Sequence, residues 1–456
     1  MIHTINPVTE VVEARFEAHD AERVEQLLES AASAQRRWAQ TPLAKRLPLL
    51  QRTAAILRDR KQALARFITL EMGKPIAEAE GEIEKCAVTL EFYVESAPRF
   101  LSDMAVASNA SESAVVFDPL GVVLAIMPWN YPFWQFIRFA APALAAGNGA
   151  LLKHANNVPQ CALALEEVFR QAGAPEGLVT TLLVEASEVA GIIADPRVAA
   201  VTLTGSTAVG KIVAAQAGAV MKKQVLELGG SDPFIVLADA DIDQAAQVAV
   251  KARFTNTGQS CICAKRFLVE ESVADRFVTA MLELASKLKV GDPMQRETAV
   301  GPMARGNLRD ELHGQVQRSV AAGAKLLLGG QPLDGPGYFY APTILDHVTP
   351  EMPAAREETF GPAAAVIRVK DADEAVRLAN ATEFGLGAAL WTADLERAKV
   401  LARRIEAGAV FINGLVASDA RLPFGGIKQS GYGRELGEFG IREFTNIKTV
   451  WIGPAR

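Results

Sequence analysis

Histidine is scarce, with five residues in 456, and none of His3, His19, His154, His313 and His347 stands in a pattern that pairs it with a cysteine. A papain-like thiol–imidazole couple is therefore disfavoured, and a carboxylate is the better candidate for a base. Cysteine is equally sparse: Cys86, Cys161, Cys261 and Cys263 do not make a disulfide framework. With no cleavable leader at Met1–Thr4, a reducing compartment, the cytoplasm, is the expected location. Cys261-x-Cys263 has no second pair to complete a zinc site, so no metal is expected. Long apolar runs are also missing: Leu120–Trp129 is about ten residues and contains a glycine and a proline, whereas a membrane span takes roughly 20, so no membrane partner is expected. Positive charge is not in excess either. A formal net charge of −6 argues against a nucleic-acid partner, which needs a clustered positive field, and favours small-molecule chemistry.

What the chain has is apolar material, 50% of its residues, and enough length for two or three domains. Ala21–Ala39, Lys45–Leu70 and Ile76–Phe100 carry Leu, Ile, Val and Phe at three- and four-residue intervals among charges, which predicts helices. Met104–Phe117 turns to small polar and β-branched residues and reads as an extended hairpin. From Gly121 to Leu237, short apolar runs at Val122–Ile126, Gly149–Lys153, Val179–Val184, Ala200–Thr204 and Val225–Leu228 alternate with helical segments. That is the rhythm of a parallel α/β sheet, whose ligands sit off the carboxyl ends of its strands. A second alternating unit runs from Phe234 to Asn413. Gly329–Pro342 reads as a loop, and Glu443–Trp451 as a final strand.

Three stretches carry candidate chemistry. Gly258-Gln259-Ser260-Cys261 sets a thiol after a glycine turn among polar neighbours, a context that suits a cleft wall better than a packed core. Glu227-Leu228-Gly229-Gly230 ends a strand with a carboxylate. Either that carboxylate is held by backbone donors, or burial raises its pKa so that it takes a proton from water or from the thiol. Gly205-Ser206-Thr207-Ala208-Val209-Gly210 follows a strand and opens a helix, the arrangement that turns backbone N–H groups towards a phosphate. Lys153, at another strand end, is either a ribose or phosphate ligand or a solvated charge.

Taken together with Pro128-Trp129-Asn130-Tyr131-Pro132, Glu358-Thr359-Phe360-Gly361-Pro362 and Pro423-Phe424-Gly425-Gly426, these motifs follow an order and spacing that resemble the aldehyde dehydrogenase superfamily over nearly the whole chain. The resemblance implies an α/β fold of two Rossmann-like parallel domains plus a β oligomerisation arm. Residues 1–98 and 118–229 would form the dinucleotide-binding domain, 230–442 the catalytic domain, and 99–117 with 443–456 the arm, which would pair across subunits in a homodimer or homotetramer. It also implies roles. Cys261 would attack the aldehyde, the Asn130 amide and the Cys261 N–H would hold the oxyanion, and Glu227 would activate the hydrolytic water. The cofactor would be held by Met127, Pro128, Trp129, Lys153, Asn156, Gly205, Ser206, Val209, Leu228, Gly229, Glu358 and Phe360.

Many NAD-preferring relatives carry a Glu three residues after the Lys. Here Asn156 removes that repulsion of a 2′-phosphate, which leans the expectation to NADP, with NAD as the alternative. The run Asn413–Gly426 looks most like the compact bacterial succinate-semialdehyde dehydrogenases, whose substrate carries a distal carboxylate. Arg138 with Ser418 would bind it, and Arg421 is a further candidate, because Thr255 stands where several such enzymes have an Arg. The alternatives are another aliphatic aldehyde or glutarate semialdehyde and, from other classes, a CoA-acylating enzyme, disfavoured by the presence of Glu227, which hydrolysis needs, or a non-catalytic binding protein, disfavoured by an intact Cys261, Glu227 and Asn130. Cys263 is either a packing residue or a redox partner of Cys261 through a strained, easily reduced disulfide. In the second case, inactivation by peroxide that a thiol reductant reverses disappears in Cys263→Ala; reversible inactivation that persists in the variant refutes it.

Overall fold

The computed structural model describes residues 1–453; residues 454–456, assigned above to the arm, lie outside the described residues. In the strand Val122–Met127, Val123, Ala125 and Met127 enter one apolar core while Val122 and Leu124 enter another. Both faces of the strand are covered, which is why its sequence is apolar without alternation. Its sheet has six strands in the order Gly431–Tyr432, Lys223–Glu227, Val198–Thr204, Val122–Met127, Gly149–His154 and Val179–Thr181. All neighbours are parallel except the short first strand, which runs antiparallel to Lys223–Glu227.

The second sheet is built the same way. Phe234 and Val236 face one core, and Ile235 and Leu237 the other. Its seven strands run in the order Lys325–Leu328, Thr343–Asp346, Ala363–Val369, Ala264–Glu270, Asp232–Val236, Gly387–Trp391 and Ala409–Ile412, with only the first antiparallel to its neighbour. A third, antiparallel sheet joins Thr445–Ile452 to Glu112–Pro119 in continuous register from Thr445 opposite Pro119 to Ile452 opposite Glu112, with Met104–Ala105 on the far edge. Ile447 and Trp451 on this sheet are 60% and 52% exposed.

Local differences from the sequence reading have local causes. The helix expected over Lys45–Leu70 is two, Leu43–Asp59 and Lys61–Met72, because Arg60 leaves helical geometry at φ −97°, ψ 10°. Helices Ile242–Phe254 and Gly306–Ala321, strands Thr343–Asp346 and Gly387–Trp391, and an N-terminal hairpin of Ile2–Ile5 with Val12–Phe16 were not anticipated. Gly387–Trp391 reads Gly-Ala-Ala-Leu-Trp. It lacks β-branched residues and becomes a strand through pairing with Asp232–Val236 and Ala409–Ile412.

Candidate active site

The site lies where the carboxyl ends of the first sheet meet the turn that follows helix Ile242–Phe254. That turn is unusual backbone. Asn256 and Thr257 both have φ +55° and Gly258 φ +69°, a left-handed run that only glycine adopts without cost. A Cβ at Gly258 would collide with the carbonyl oxygen of Gly361. The run is held from outside: the Glu78 carboxylate accepts the Asn256 N–H at 2.7 Å, and Thr257 Oγ1 accepts the Gly301 N–H at 3.1 Å. Beyond the turn, the fully buried Lys265 donates to the carbonyls of Ser260 at 3.1 Å and Cys261 at 2.8 Å. The backbone that carries the thiol is thus fixed on both sides.

Asn130 approaches from the other sheet. Its Nδ2 donates to the Gln259 carbonyl at 3.0 Å, and its Oδ1 accepts from Gln135 Nε2 at 3.0 Å. A carboxamide has two N–H donors; one is spent in fixing the side chain, and the other is free to face the cavity that Asn130 and Cys261 both line. Desolvation raises the Cys261 thiol above its ordinary pKa, while Arg138 and Lys265 oppose the rise.

Two cavities meet at Cys261 and Gln135, which line both. The larger, of about 810 Å³, is bordered by Pro128, Trp129, Gly205, Ser206, Leu228, Gly229, Glu358 and Phe360, so these residues are brought together as the sequence motifs suggested. Ser206 caps helix Thr207–Ala219, its Oγ accepting the Val209 N–H at 3.4 Å, and the helix N-terminus is available to an anion at this wall. Phe360 packs edge-on to Trp129 with 5.8 Å between ring centroids, and Glu358 accepts the Gly230 N–H at 2.9 Å. A Cβ at Gly229 would stand 2.6 Å from the Glu358 carboxylate, so the cradle exists only because the position is bare. These donors and apolar faces fit a dinucleotide.

Met127, Lys153, Asn156 and Val209 fall outside the lining of that cavity. Lys153 Nζ donates to the Asn156 Oδ1 at 2.8 Å and to the His154 carbonyl at 3.0 Å, and Asn156 donates to Glu185 at 2.7 Å. Glu185, invisible to the motif reading, thus brings back beside Asn156 the carboxylate that the Asn itself lacks.

The smaller cavity, of about 180 Å³, is bordered by Lys85, Trp134, Arg138, Thr255, Cys261, Cys263 and Ser418 among others. Arg138 and Ser418 are therefore placed near the thiol, but Arg138 is not free. It pairs with Glu435, both side chains 3% exposed, and donates to Thr204 Oγ1 at 3.3 Å. Arg421 is not brought to either cavity: its side chain is 76% exposed and paired with Asp419 at 2.6 Å. Asp419 lies two residues away and holds the guanidinium at the surface. Cys263 is buried, with Sγ 3.8 Å from the Thr255 carbonyl, and all four cysteines are free thiols.

Glu227 is 2% exposed, and neither carboxylate oxygen has a hydrogen-bond donor among the described residues. Desolvation, reinforced by the neighbouring Glu435 and opposed by Arg138 and Arg434, holds its pKa well above the carboxylate range. It borders neither cavity and lies against Gly425. Among the described residues no cluster of His, Cys, Asp and Glu is arranged for a metal, and no helix is long and apolar enough to cross a membrane.

Residues 1–450 match the model of the aldehyde dehydrogenase family. The chain belongs to that family. Among aldehyde dehydrogenases, it is 51% identical to a probable NADP(+) succinate-semialdehyde dehydrogenase of Synechocystis over 99% of both chains. It is 49% identical to the NAD(P)+ succinate semialdehyde dehydrogenase of Escherichia coli, over 98% of this chain and 97% of that one. The fold superposes on succinic semialdehyde dehydrogenase from Streptococcus pyogenes in complex with NADP+ with a TM-score of 0.97 at 37% identity, covering 100% of both chains.

Proposed function

We propose that this aldehyde dehydrogenase oxidises succinate semialdehyde to succinate with NADP as hydride acceptor. The observation that carries the reading is the position of Cys261, on a rigid turn at the junction of a dinucleotide-sized cavity and a small cavity rimmed with cations. Full-length similarity to enzymes named for this substrate and for NADP supports it.

The residues divide the work. The Cys261 thiol gives its proton to water in the cavity as its sulfur adds to the carbonyl carbon, and the free N–H of Asn130, with the backbone N–H of Cys261, stabilises the alkoxide that forms. Trp129, Ser206, Gly229, Glu358 and Phe360, which line the larger cavity, would hold NADP, and the cofactor would there accept the hydride given up by the tetrahedral carbon. The thioester left on Cys261 is hydrolysed by water, releasing the carboxylic acid and the thiol; Glu227, which borders neither cavity and packs against Gly425, would have to turn its carboxylate towards Cys261 to take the proton of that water. Arg138 and Ser418 border the space that the distal carboxylate of the substrate would occupy. With Glu185 beside Asn156, NAD is the second cofactor to compare.

The β sheet Thr445–Ile452/Glu112–Pro119, with its exposed Ile447 and Trp451, is the arm we assign to subunit pairing. Four free thiols suit the reducing cytoplasm.

Asn130→Ala loses about 10²–10³ in kcat; a loss under threefold refutes its role. Glu227→Gln lowers steady-state turnover by about 10²–10⁴ while a single-turnover burst of NADPH persists. The sign of the pH effect follows from burial: the folded pKa of Glu227 lies above its unfolded value, so ionising it on raising the pH costs stability while creating the base. Wild-type turnover therefore rises with pH above the ordinary carboxylate range, and Glu227→Gln loses that limb. A panel of C2–C6 aldehydes and semialdehydes gives the highest kcat/KM for succinate semialdehyde with NADP, and the product is the free acid with or without CoA. A preference for uncharged aldehydes, or acyl-CoA as product, overturns the reading. Light scattering gives a mass of two or four chains, and a monomer refutes the arm's assignment.

A further inference from the structure

We propose that Lys85 is a substrate-binding residue, supplying the unneutralised positive charge that receives the distal carboxylate of the semialdehyde in the smaller cavity. The inference rests on the substrate reading above and deepens it.

Three cationic side chains border that cavity: Lys85, Arg138 and Lys251. An incoming carboxylate gains most from a cation whose charge is not already matched and whose hydration has been stripped away. Arg138 fails the first condition, because its guanidinium is paired with the equally buried Glu435. Lys251 fails the second, because it is exposed on helix Ile242–Phe254. Lys85 meets both. Among the described residues it makes no ion pair, and the acids nearest its charge are committed elsewhere: Glu82 to Lys74 and to the backbone N–H groups of Phe133 and Trp134, Asp419 to Arg421. Its ammonium lies 4.1 Å from the centroid of Trp134, a face that tolerates a cation without neutralising it. Desolvation, with Arg138 nearby, lowers its pKa to about 8, the mark of a cation short of counter-charge.

The same ammonium donates to Ser418 Oγ at 2.7 Å. An ammonium has three N–H donors, and the Ser418 bond uses one. The lysine and the serine therefore present donors at one spot on the wall of the cavity that Cys261 also lines, where they would receive the carboxylate of a short substrate whose aldehyde meets the thiol. Helix Ile76–Phe100, which carries Lys85, is anchored on its inner face by Ile83, Ala87 and Leu90, so the charge is presented from a rigid element rather than a loop.

The test compares succinate semialdehyde with butanal, which has the same carbon count and no carboxylate. In Lys85→Met, the ratio of kcat/KM for the semialdehyde to that for butanal falls about 10–100-fold, the size of a hydrogen bond to a charged group. The change lies in KM for the semialdehyde rather than in kcat. Lys85→Arg retains most of the ratio. Should the Met variant fail to fold, Lys85→Gln, which keeps a donor for Ser418, carries the same measurement. A ratio unchanged in the neutral variant, whether because both substrates are unaffected or because both decline together, overturns the role of Lys85 and leaves the substrate reading standing. A wild-type enzyme with no preference for the semialdehyde over butanal overturns the substrate reading, and the role of Lys85 with it.

Discussion

Asn256, Thr257 and Gly258 hold φ between +55° and +69°, and for the two that carry side chains this left-handed backbone costs about 1–2 kcal/mol each. Within the turn, Asn256 offsets part of that cost, its carbonyl accepting the Gln259 N–H at 2.9 Å and its Nδ2 donating to the Gln259 carbonyl at 3.0 Å. The rest is offset by groups that arrive from distant parts of the chain: Glu78 from the N-terminal helical region, Gly301, and the Gly361 backbone against which Gly258 is pressed. The thiol two residues beyond Gln259 inherits its position from these contacts. The position of the thiol thus rests on contacts from distant parts of the chain and not on its own segment alone.

How legible the fold was in the sequence depended on whether the information was local. The strands Val122–Met127 and Val198–Thr204 announce themselves because a strand covered on both faces must be continuously apolar. Gly387–Trp391 does not, because its conformation is imposed by its neighbours on either side. The site divides in the same way. Cys261, Glu227 and Asn130 sit in motifs with glycine or proline punctuation and were readable. Lys85, Glu185, Lys265 and Glu435 sit in ordinary helix, strand or loop sequence and become significant only through partners more than 25 positions away or through burial. Arg421 differs in the opposite sense: it lies three residues after Ser418 in sequence, but its side chain pairs with Asp419 at the surface.

Buried charge is the second organising feature. Arg138 pairs with Glu435 and influences Glu227; Glu435 raises the cost of ionising Glu227, and Glu443 that of Glu435, while Arg138 lowers both. In such a cluster a proton belongs to the group as a whole, so a change at one member shifts the others. Removing Arg138 would leave Glu435 without its ion-pair partner and Glu227 with Arg434 alone opposing its burial, a disturbance of Glu227 as much as of the smaller cavity. Arg138 is thus tied electrostatically to Glu227 as well as standing in the cavity wall.

The Gln259 carbonyl accepts two side-chain amides, one from Asn130 at 3.0 Å and one from Asn256 at 3.0 Å. Asn130 follows a strand of the first sheet, while Asn256 belongs to the turn that carries the thiol. A single oxygen atom is thus the common reference point for parts of the chain that would otherwise be free to drift apart. The spacing between the Asn130 amide and the Cys261 backbone is therefore set through one shared acceptor, two residues before the thiol.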